Sequence, residues 1–198
     1  MGKTRLEAFS DGVIAIIITI MVLEMKVPHG EDLAALLPVV PVFFSYLLSF
    51  IYVGIYWNNH HHMLHTVKTV SGSVLWTNLH LLFWLSLFPF ATAFMGENHF
   101  AATPSALYGC VLLGAAAAFT ILQRAIIRTQ GKDSLLQAAV GSDWKGKASL
   151  VGYLMGIVST FVVPWVAEAM YIAVAAIWFV PDKRIEETLE HTPEHKKP

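Results

Sequence analysis

The sequence predicts an all-α integral membrane protein. Of its 198 residues, 56% are hydrophobic and only 14% are charged, whereas a soluble domain is about one quarter charged. Several apolar runs reach the roughly 20 residues that a helix needs to cross a bilayer. The basic residues also cluster in alternate connections between these runs, as expected of a multi-pass membrane protein.

Six apolar segments predict six transmembrane helices within a single domain, residues 1–182, followed by a polar tail over 183–198. Thr103 and Pro104 predict the N-cap and first residue of the fourth helix, and Pro164 predicts a tight hairpin between the last two. The alternative for residues 149–180 is one long kinked helix. The six predicted spans are roughly 7–27, 34–60, 71–95, 104–127, 147–163 and 165–181.

The basic residues predict the orientation. Twelve of the 13 lysines and arginines fall on one side of the six-span arrangement, and only Lys26 falls on the other. Because Lys and Arg are enriched in cytoplasmic loops, both termini are predicted to be cytoplasmic. The net charge of −1 gives no basis for nucleic-acid binding, and nothing indicates a small-molecule substrate. The single cysteine, Cys110, lies in an apolar run and is expected to be a small buried hydrophobe.

A polar cluster begins the first predicted helix. Arg5, Ser10 and Asp11 lie within two helical turns, at the start of an otherwise apolar run. Ionisable groups at membrane depth are costly and normally face a partner or a water path. We therefore expect partners on other helices, and the candidates in the second and third spans are Trp57, His60, His61 and Asn78.

The opposite side of the first helix carries an apolar stripe. At about 100° per residue, the stripe lies within about 60° of Ile16. This stripe either faces lipid, with the polar cluster turned into the bundle, or lines a narrow pore that closes by expelling water. Periodicity alone does not separate these alternatives. The stripe consists of Gly12, Ile16, Thr19, Ile20, Leu23 and Val27.

A cluster of histidines at the end of the second span is a second candidate site. His60, His61, His62 and His65 lie at the end of the second span, and imidazole suits zinc or iron. A membrane-embedded metalloenzyme is one alternative, and a secondary transporter or proton-coupled carrier that uses the Arg, Ser, Asp and His side chains is another. Structural pairing with Ser10 and Asp11 is the simpler interpretation. The cluster could also confer pH sensitivity, because histidine titrates near neutrality.

Several motifs resemble those of the transmembrane protein 175 family of potassium channels. The most specific is Arg5-x-x-x-Phe9-Ser10-Asp11, which is followed by Leu-Glu-Met-Lys-Val-Pro at 23–28. Further matches are Ser45 and Ser49 before Trp57-x-x-His60-His61, and Asn78-Leu79 leading to Pro89-Phe90. The resemblance covers all six spans, and it implies a prokaryotic single-repeat chain in the cell membrane that assembles as a homotetramer.

The resemblance also implies roles for particular residues. The first helix would line a central pore, with Ile16 as the hydrophobic constriction, Thr19 as a polar ring and Leu23 as a second apolar layer. Arg5 and Phe9 would belong with Ser10 and Asp11 to a structural network. From its helical angle, Glu24 lies beside the stripe near the outer mouth, where it either adds to a ring of negative charge that concentrates cations or pairs with Lys26 or a neighbouring helix. The implied function is a potassium-permeable channel, not an enzyme. Because a ring of Ile16 side chains offers no oxygen ligands to a dehydrated cation, we expect only a modest preference for K⁺ over Na⁺. No cofactor is implied, and K⁺ is the permeant ion.

Overall fold

The computed structural model describes residues 2–131, 134–140 and 143–179, and these residues form a helical bundle. The predicted tail over 183–198 lies outside the described residues. In chain order the elements are α1 (Lys3–Leu23), a 3-10 segment (Leu33–Val39), α2 (Val40–His65), α3 (Gly72–Ser86), α4 (Phe88–Glu97), α5 (Ala102–Gln130), α6 (Leu135–Val140), α7 (Trp144–Ser159) and α8 (Pro164–Phe179).

Four described segments are long and apolar enough to cross a membrane. They are Lys3–Leu23, Leu33–His65, Gly72–Glu97 and Ala102–Gln130, and they fall where the first four predicted spans lie. The third is broken at Leu87, because Pro89 in the first turn of α4 cannot continue the hydrogen-bond ladder of α3. The long apolar helices predicted from the sequence are therefore present.

Two predicted helix ends were wrong. Ala101, not Thr103, is the N-cap of α5, so that Pro104 is the third helical residue. Proline is tolerated there because the amides of the first turn have no partner within the helix. At the other end of the first span, α1 ends at Leu23, since Pro28 and the polar residues before it do not favour further helix. Val27 therefore lies beyond the helical stripe to which the prediction assigned it.

The last two helices form the predicted hairpin. Helices α7 and α8 have 16 described residues each, about 24 Å, which is shorter than a hydrocarbon core of about 30 Å. Two glycines of α7 bring them together: a Cβ at Gly152 would come within 2.7 Å of Val174, and one at Gly156 would contact the Tyr171 ring. The single kinked helix considered above is thus not what the described residues form.

Hydrogen bonds define the two ends of the bundle. At one end the Lys3 ammonium donates to the His65 carbonyl (2.8 Å), and Ser71 lies 3.1 Å from Thr129. At the other end Lys26 contacts Glu97. Seven of the described basic residues lie at or near the first end, which we call the basic end. They are Lys3, Arg5, Lys68, Arg124, Arg128, Lys145 and Lys147.

The core is aromatic and lies between α2, α4, α5, α7 and α8. Tyr52, Phe88, Tyr108 and Tyr171 are fully buried and make edge or tilted ring contacts with centroids 5.9–6.5 Å apart. Helix α1 packs outside this centre, against α2, α3 and α4. The bundle therefore buries one side of α1 and leaves the other side uncovered.

Candidate functional site: the two faces of the first helix

One face of α1 is buried. It consists of one residue from each successive turn, and the four apolar members are each at most 3% exposed. Their spacing of three or four residues keeps them on a single side of the helix. The buried residues are Leu6, Ser10, Ile14, Ile17 and Met21.

The opposite face is exposed, and it is the predicted stripe. Ile16 is 58% exposed and Leu23 is 79% exposed, and Gly12, Thr19 and Ile20 lie beside them on the surface. The Thr19 hydroxyl donates to the Ile16 carbonyl (2.9 Å). Because that bond uses the hydroxyl proton, the lone pairs of the Thr19 oxygen stay available to a cation. We call Gly12, Ile16, Thr19, Ile20 and Leu23 the exposed stripe.

Three buried polar side chains tie α1 to its neighbours. Asn78 Nδ2 donates to Ser10 Oγ (3.0 Å), and Ser10 Oγ donates to the Leu6 carbonyl (2.9 Å). His60 Nε2 lies 2.7 Å from Asn78 Oδ1. Since an amide oxygen only accepts, His60 carries its proton on Nε2. The bonds form one directed chain from α2 through α3 to α1.

A second polar contact lies beside this chain. Trp57 Nε1 donates to Asp11 Oδ1 (3.0 Å), which gives the carboxylate a partner on α2. Asp11 is half-buried, at the edge between the two faces of α1. We call Ser10, Asp11, Trp57, His60 and Asn78 the polar anchor. The structure thus brings together five of the residues that the sequence singled out.

The other three residues assigned to this network make no hydrogen bond to the polar anchor among the described residues. Arg5 and Phe9 are exposed on the same side of α1 as the stripe. Neither has a hydrogen-bond or ion-pair partner among the described residues. His61 is exposed, and its ring packs against those of Trp57, His62 and His65 with centroids 5.4–6.2 Å apart. Within the described ranges, no group of three His, Cys, Asp or Glu side chains is placed to hold a metal ion.

An ion pair lies near the far end of α1. Glu24 is the exposed C-cap residue of the helix. Lys26 Nζ contacts Glu97 Oε1 at the end of α4 (2.8 Å), so Lys26 pairs with Glu97 and not with Glu24. The hydrogen bond from Lys26 to the Glu97 carboxylate raises the pKa of the lysine above its usual 10.5.

Sequence analysis missed two polar groupings, of which the first is buried and the second is partly buried. Thr92 Oγ1 donates to Ser49 Oγ (2.6 Å), which lies 3.0 Å from the Tyr108 hydroxyl. The available signal was the pair of serines at 45 and 49, spaced one turn apart in an apolar helix. Ser105 Oγ also donates to Glu168 Oε1 (2.7 Å), and a carboxylate within an apolar run was itself a signal.

Comparisons with known proteins agree on one family. A family model described as endosomal/lysosomal potassium channel TMEM175 matches residues 5–89, which contain the polar anchor and the exposed stripe. A potassium channel of Chryseobacterium sp. (strain P1-3) is 57% identical over 190 residues, which are 96% of this chain and 99% of the relative. A potassium channel of Streptomyces collinus is 35% identical over 136 residues, which are 63% of this chain and 65% of the relative.

A solved structure has the same fold. The crystal structure of a lysosomal potassium-selective channel TMEM175 homolog from Chamaesiphon minutus matches with a TM-score of 0.78 at 25% identity. The match covers 91% of this chain and 97% of that chain. The sequence match and the structural match therefore both extend along almost the whole chain, and both are to potassium channels. The chain belongs to the TMEM175 family, which is a family of ion channels and not of enzymes.

Proposed function

We propose that this chain assembles as a homotetramer in the bacterial cell membrane and conducts potassium through a central pore lined by α1. One observation carries the proposal: the polar anchor holds α1 by one face, and the opposite face carries a stripe that no described residue covers. The named potassium channels that resemble this chain over most or all of their length support the choice of ion.

Four copies of the exposed stripe around an axis would form a hydrophobic gate. The Ile16 side chains offer no oxygen to a dehydrated cation, so a narrow ring of them closes the pore by excluding water. Leu23, two turns further along, forms a second apolar layer in this arrangement. Gly12 and Ile20 complete the pore wall on either side of Ile16.

Thr19 is the proposed selectivity residue. Its hydroxyl proton is already donated to the Ile16 carbonyl, so four Thr19 oxygens would face the pore as acceptors. A ring of side-chain hydroxyls replaces few of the water molecules around K⁺, compared with the stacked carbonyl rings of classical potassium channels. We therefore expect modest preference for K⁺ over Na⁺.

The orientation follows from charge. With the basic end in the cytoplasm, the seven described basic residues there satisfy the positive-inside rule, and Lys26 alone lies outside. Six crossings put both termini in the cytoplasm, provided that the α7–α8 hairpin spans a locally thinned bilayer. Glu24 then lies at the outer mouth, where four carboxylates would concentrate cations.

The polar anchor has a structural role in this proposal. It fixes the rotation of α1, so that the exposed stripe and not the buried face meets the axis. Arg5 and Phe9 lie on the stripe side of α1 near its cytoplasmic end, where they would join the same network through neighbouring subunits. His61 supports Trp57 by ring packing.

Flux through purified protein tests the proposal. The full chain, reconstituted in vesicles with a K⁺ gradient, should pass K⁺ at channel rates and give unitary currents in planar bilayers. Its mass in detergent should equal four chains. A slow flux that saturates with K⁺ concentration would indicate a carrier, and a monomeric mass or current carried equally by Na⁺ and K⁺ would contradict the proposal.

A further inference from the structure

The basic end contains a pair of arginines that have no counter-charge among the described residues. Arg124 and Arg128 lie one turn apart on α5, and both are exposed. Neither makes a salt bridge or a hydrogen bond with a described residue. Lys3 differs, because it is bonded to His65 and lies 3.9 Å from Glu7.

The contacts of two glycines show which sides of α5 are covered by neighbouring helices, and thereby which side carries the arginines. A Cβ at Gly109 would lie 2.7 Å from Ile157 of α7, and one at Gly114 would meet the Trp84 indole of α3. At about 100° per residue, the two arginines lie at angles around the α5 axis between those of Gly109 and Gly114. The pair therefore lies on the open face of α5, with α3 on one side and α7 on the other.

The same face is apolar towards the membrane centre. Ile121 is 42% exposed one turn before Arg124, and Cys110 is exposed three turns earlier. The expectation that Cys110 is buried was wrong, because the helices that flank α5 leave this face open. An apolar strip thus leads along α5 to two guanidinium groups.

Two exposed tryptophans indicate how deep the arginines lie in the bilayer. Trp76, near the start of α3, is 75% exposed, and Trp144, the first residue of α7, is 54% exposed. Both lie at the basic end, on the helices that flank α5. Exposed tryptophans are enriched at the headgroup level of a bilayer, so the guanidinium groups lie within reach of lipid phosphates.

Among the residues that the structure describes, the basic end offers little negative charge. Glu7 lies near Lys3, Asp11 accepts from Trp57, and Asp143 accepts from the Gly146 amide as the cap of α7. The described acidic side chains of the basic end are therefore already engaged. The described part of a second copy would bring the same set, so it is a poor source of counter-charge for the arginines.

We propose that this face of α5 is a binding site for an anionic phospholipid of the cytoplasmic leaflet. Arg124 and Arg128 bind the phosphate, for which the planar guanidinium is suited by its parallel N–H donors. An acyl chain lies along Ile121 and Cys110. The apolar strip beside the arginines distinguishes this site from one for free phosphate.

Lipid titration of the full-length protein tests the site. Phosphatidylglycerol, with phosphatidylcholine as the uncharged comparison, is added to protein in uncharged detergent and binding is followed by native mass spectrometry. Each arginine removed should weaken phosphatidylglycerol binding about fivefold, and Arg124→Gln with Arg128→Gln about 30-fold. Lys68→Gln, which removes one exposed charge from the same end outside this face, should change binding less than twofold.

Three results would overturn the proposal. The double variant could bind phosphatidylglycerol as tightly as the native chain, Lys68→Gln could weaken binding as much as Arg128→Gln, or millimolar inorganic phosphate could displace the lipid. Ile121→Trp provides a second test with both arginines intact. It fills the apolar strip and should weaken binding severalfold, and unchanged binding would remove the acyl-chain contact from the proposal.

Discussion

The two faces of α1 are held in opposite ways. On the buried face, Ser10 accepts a hydrogen bond from Asn78 of α3 (3.0 Å), and at its edge Asp11 accepts one from Trp57 of α2 (3.0 Å). The stripe opposite has no cover within the described chain. The comparison teaches that α1 is anchored through one face, while the proposed pore surface lies on another face of the same helix. Changes to the anchor should alter assembly, and changes to the stripe should alter conduction.

Loss of Asn78 should have the largest effect. Asn78→Leu leaves His60 Nε2 without its acceptor and Ser10 Oγ without its donor, and an orphaned buried polar group costs about 1–3 kcal/mol. We expect a lower melting temperature and loss of the tetramer in size-exclusion chromatography. Asn59→Leu is the matched control, because Asn59 bonds only to the Ile55 carbonyl of its own helix. Equal stability of the two variants would mean that the polar anchor does not hold α1.

A polar side chain in the stripe should change conduction without loss of assembly. Ile16→Asn wets the constriction and should raise K⁺ flux in vesicles about tenfold, equivalent to a barrier lowered by about 1.4 kcal/mol. Val22→Asn, on an exposed part of α1 outside the stripe, should leave the flux unchanged. If both variants leak alike, the gate does not lie at Ile16.

Substitution of Thr19 should change ion selectivity by a smaller factor than substitution of Ile16 changes flux. Thr19→Val removes the proposed oxygen ring while keeping the shape of the side chain, and should reduce the K⁺ to Na⁺ permeability ratio about two- to fivefold, by analogy with a hydrogen bond of about 0.5–1 kcal/mol. Reversal potentials measured with both ions check this. Thr77→Val on α3, whose hydroxyl also bonds within its own helix, is the control. An unaltered ratio in Thr19→Val would remove its assigned role.

The ion pair at the outer end should matter least. Since pairing with Glu97 raises the pKa of Lys26 above 10.5, its contribution to stability is complete below that pH and is lost as the pH rises through the raised value. Lys26→Gln should therefore lower the melting temperature only slightly at pH 7. The difference from the native chain should disappear in strongly alkaline buffer. A large decrease at neutral pH would show that this exposed pair helps to hold α1.

The polar anchor was predictable because ionisable groups in an apolar helix require partners. Asp11 and Ser10 are polar residues in such a helix, so they indicated that partners exist on other helices. Trp57, His60 and Asn78 were among the few polar groups of the neighbouring spans that could form these hydrogen bonds. The positions of the first four apolar segments also followed from composition alone. The Thr92–Ser49–Tyr108 contact did not follow, because it joins hydroxyls from three helices whose packing no local pattern reveals.

The stripe marks the limit of sequence reasoning for this site. A face towards lipid and a face towards a dewetting pore have the same apolar composition, so periodicity located the stripe without giving its surroundings. Cys110 illustrates the same limit: its apolar neighbours suggested burial, yet it lies on an open face of α5. In a membrane protein, apolar sequence does not distinguish the protein core from the protein surface.

Silver block of a stripe cysteine tests the central claim most directly. Ag⁺ has nearly the size of K⁺ and binds thiolates, so it should enter a potassium pore and stop at a cysteine in its wall. In a Cys110→Ser background, Ag⁺ should abolish K⁺ current through Ile16→Cys channels and leave Val22→Cys channels conducting. Persistent current through the Ile16→Cys channels, or equal block of both, would contradict a pore lined by the exposed stripe.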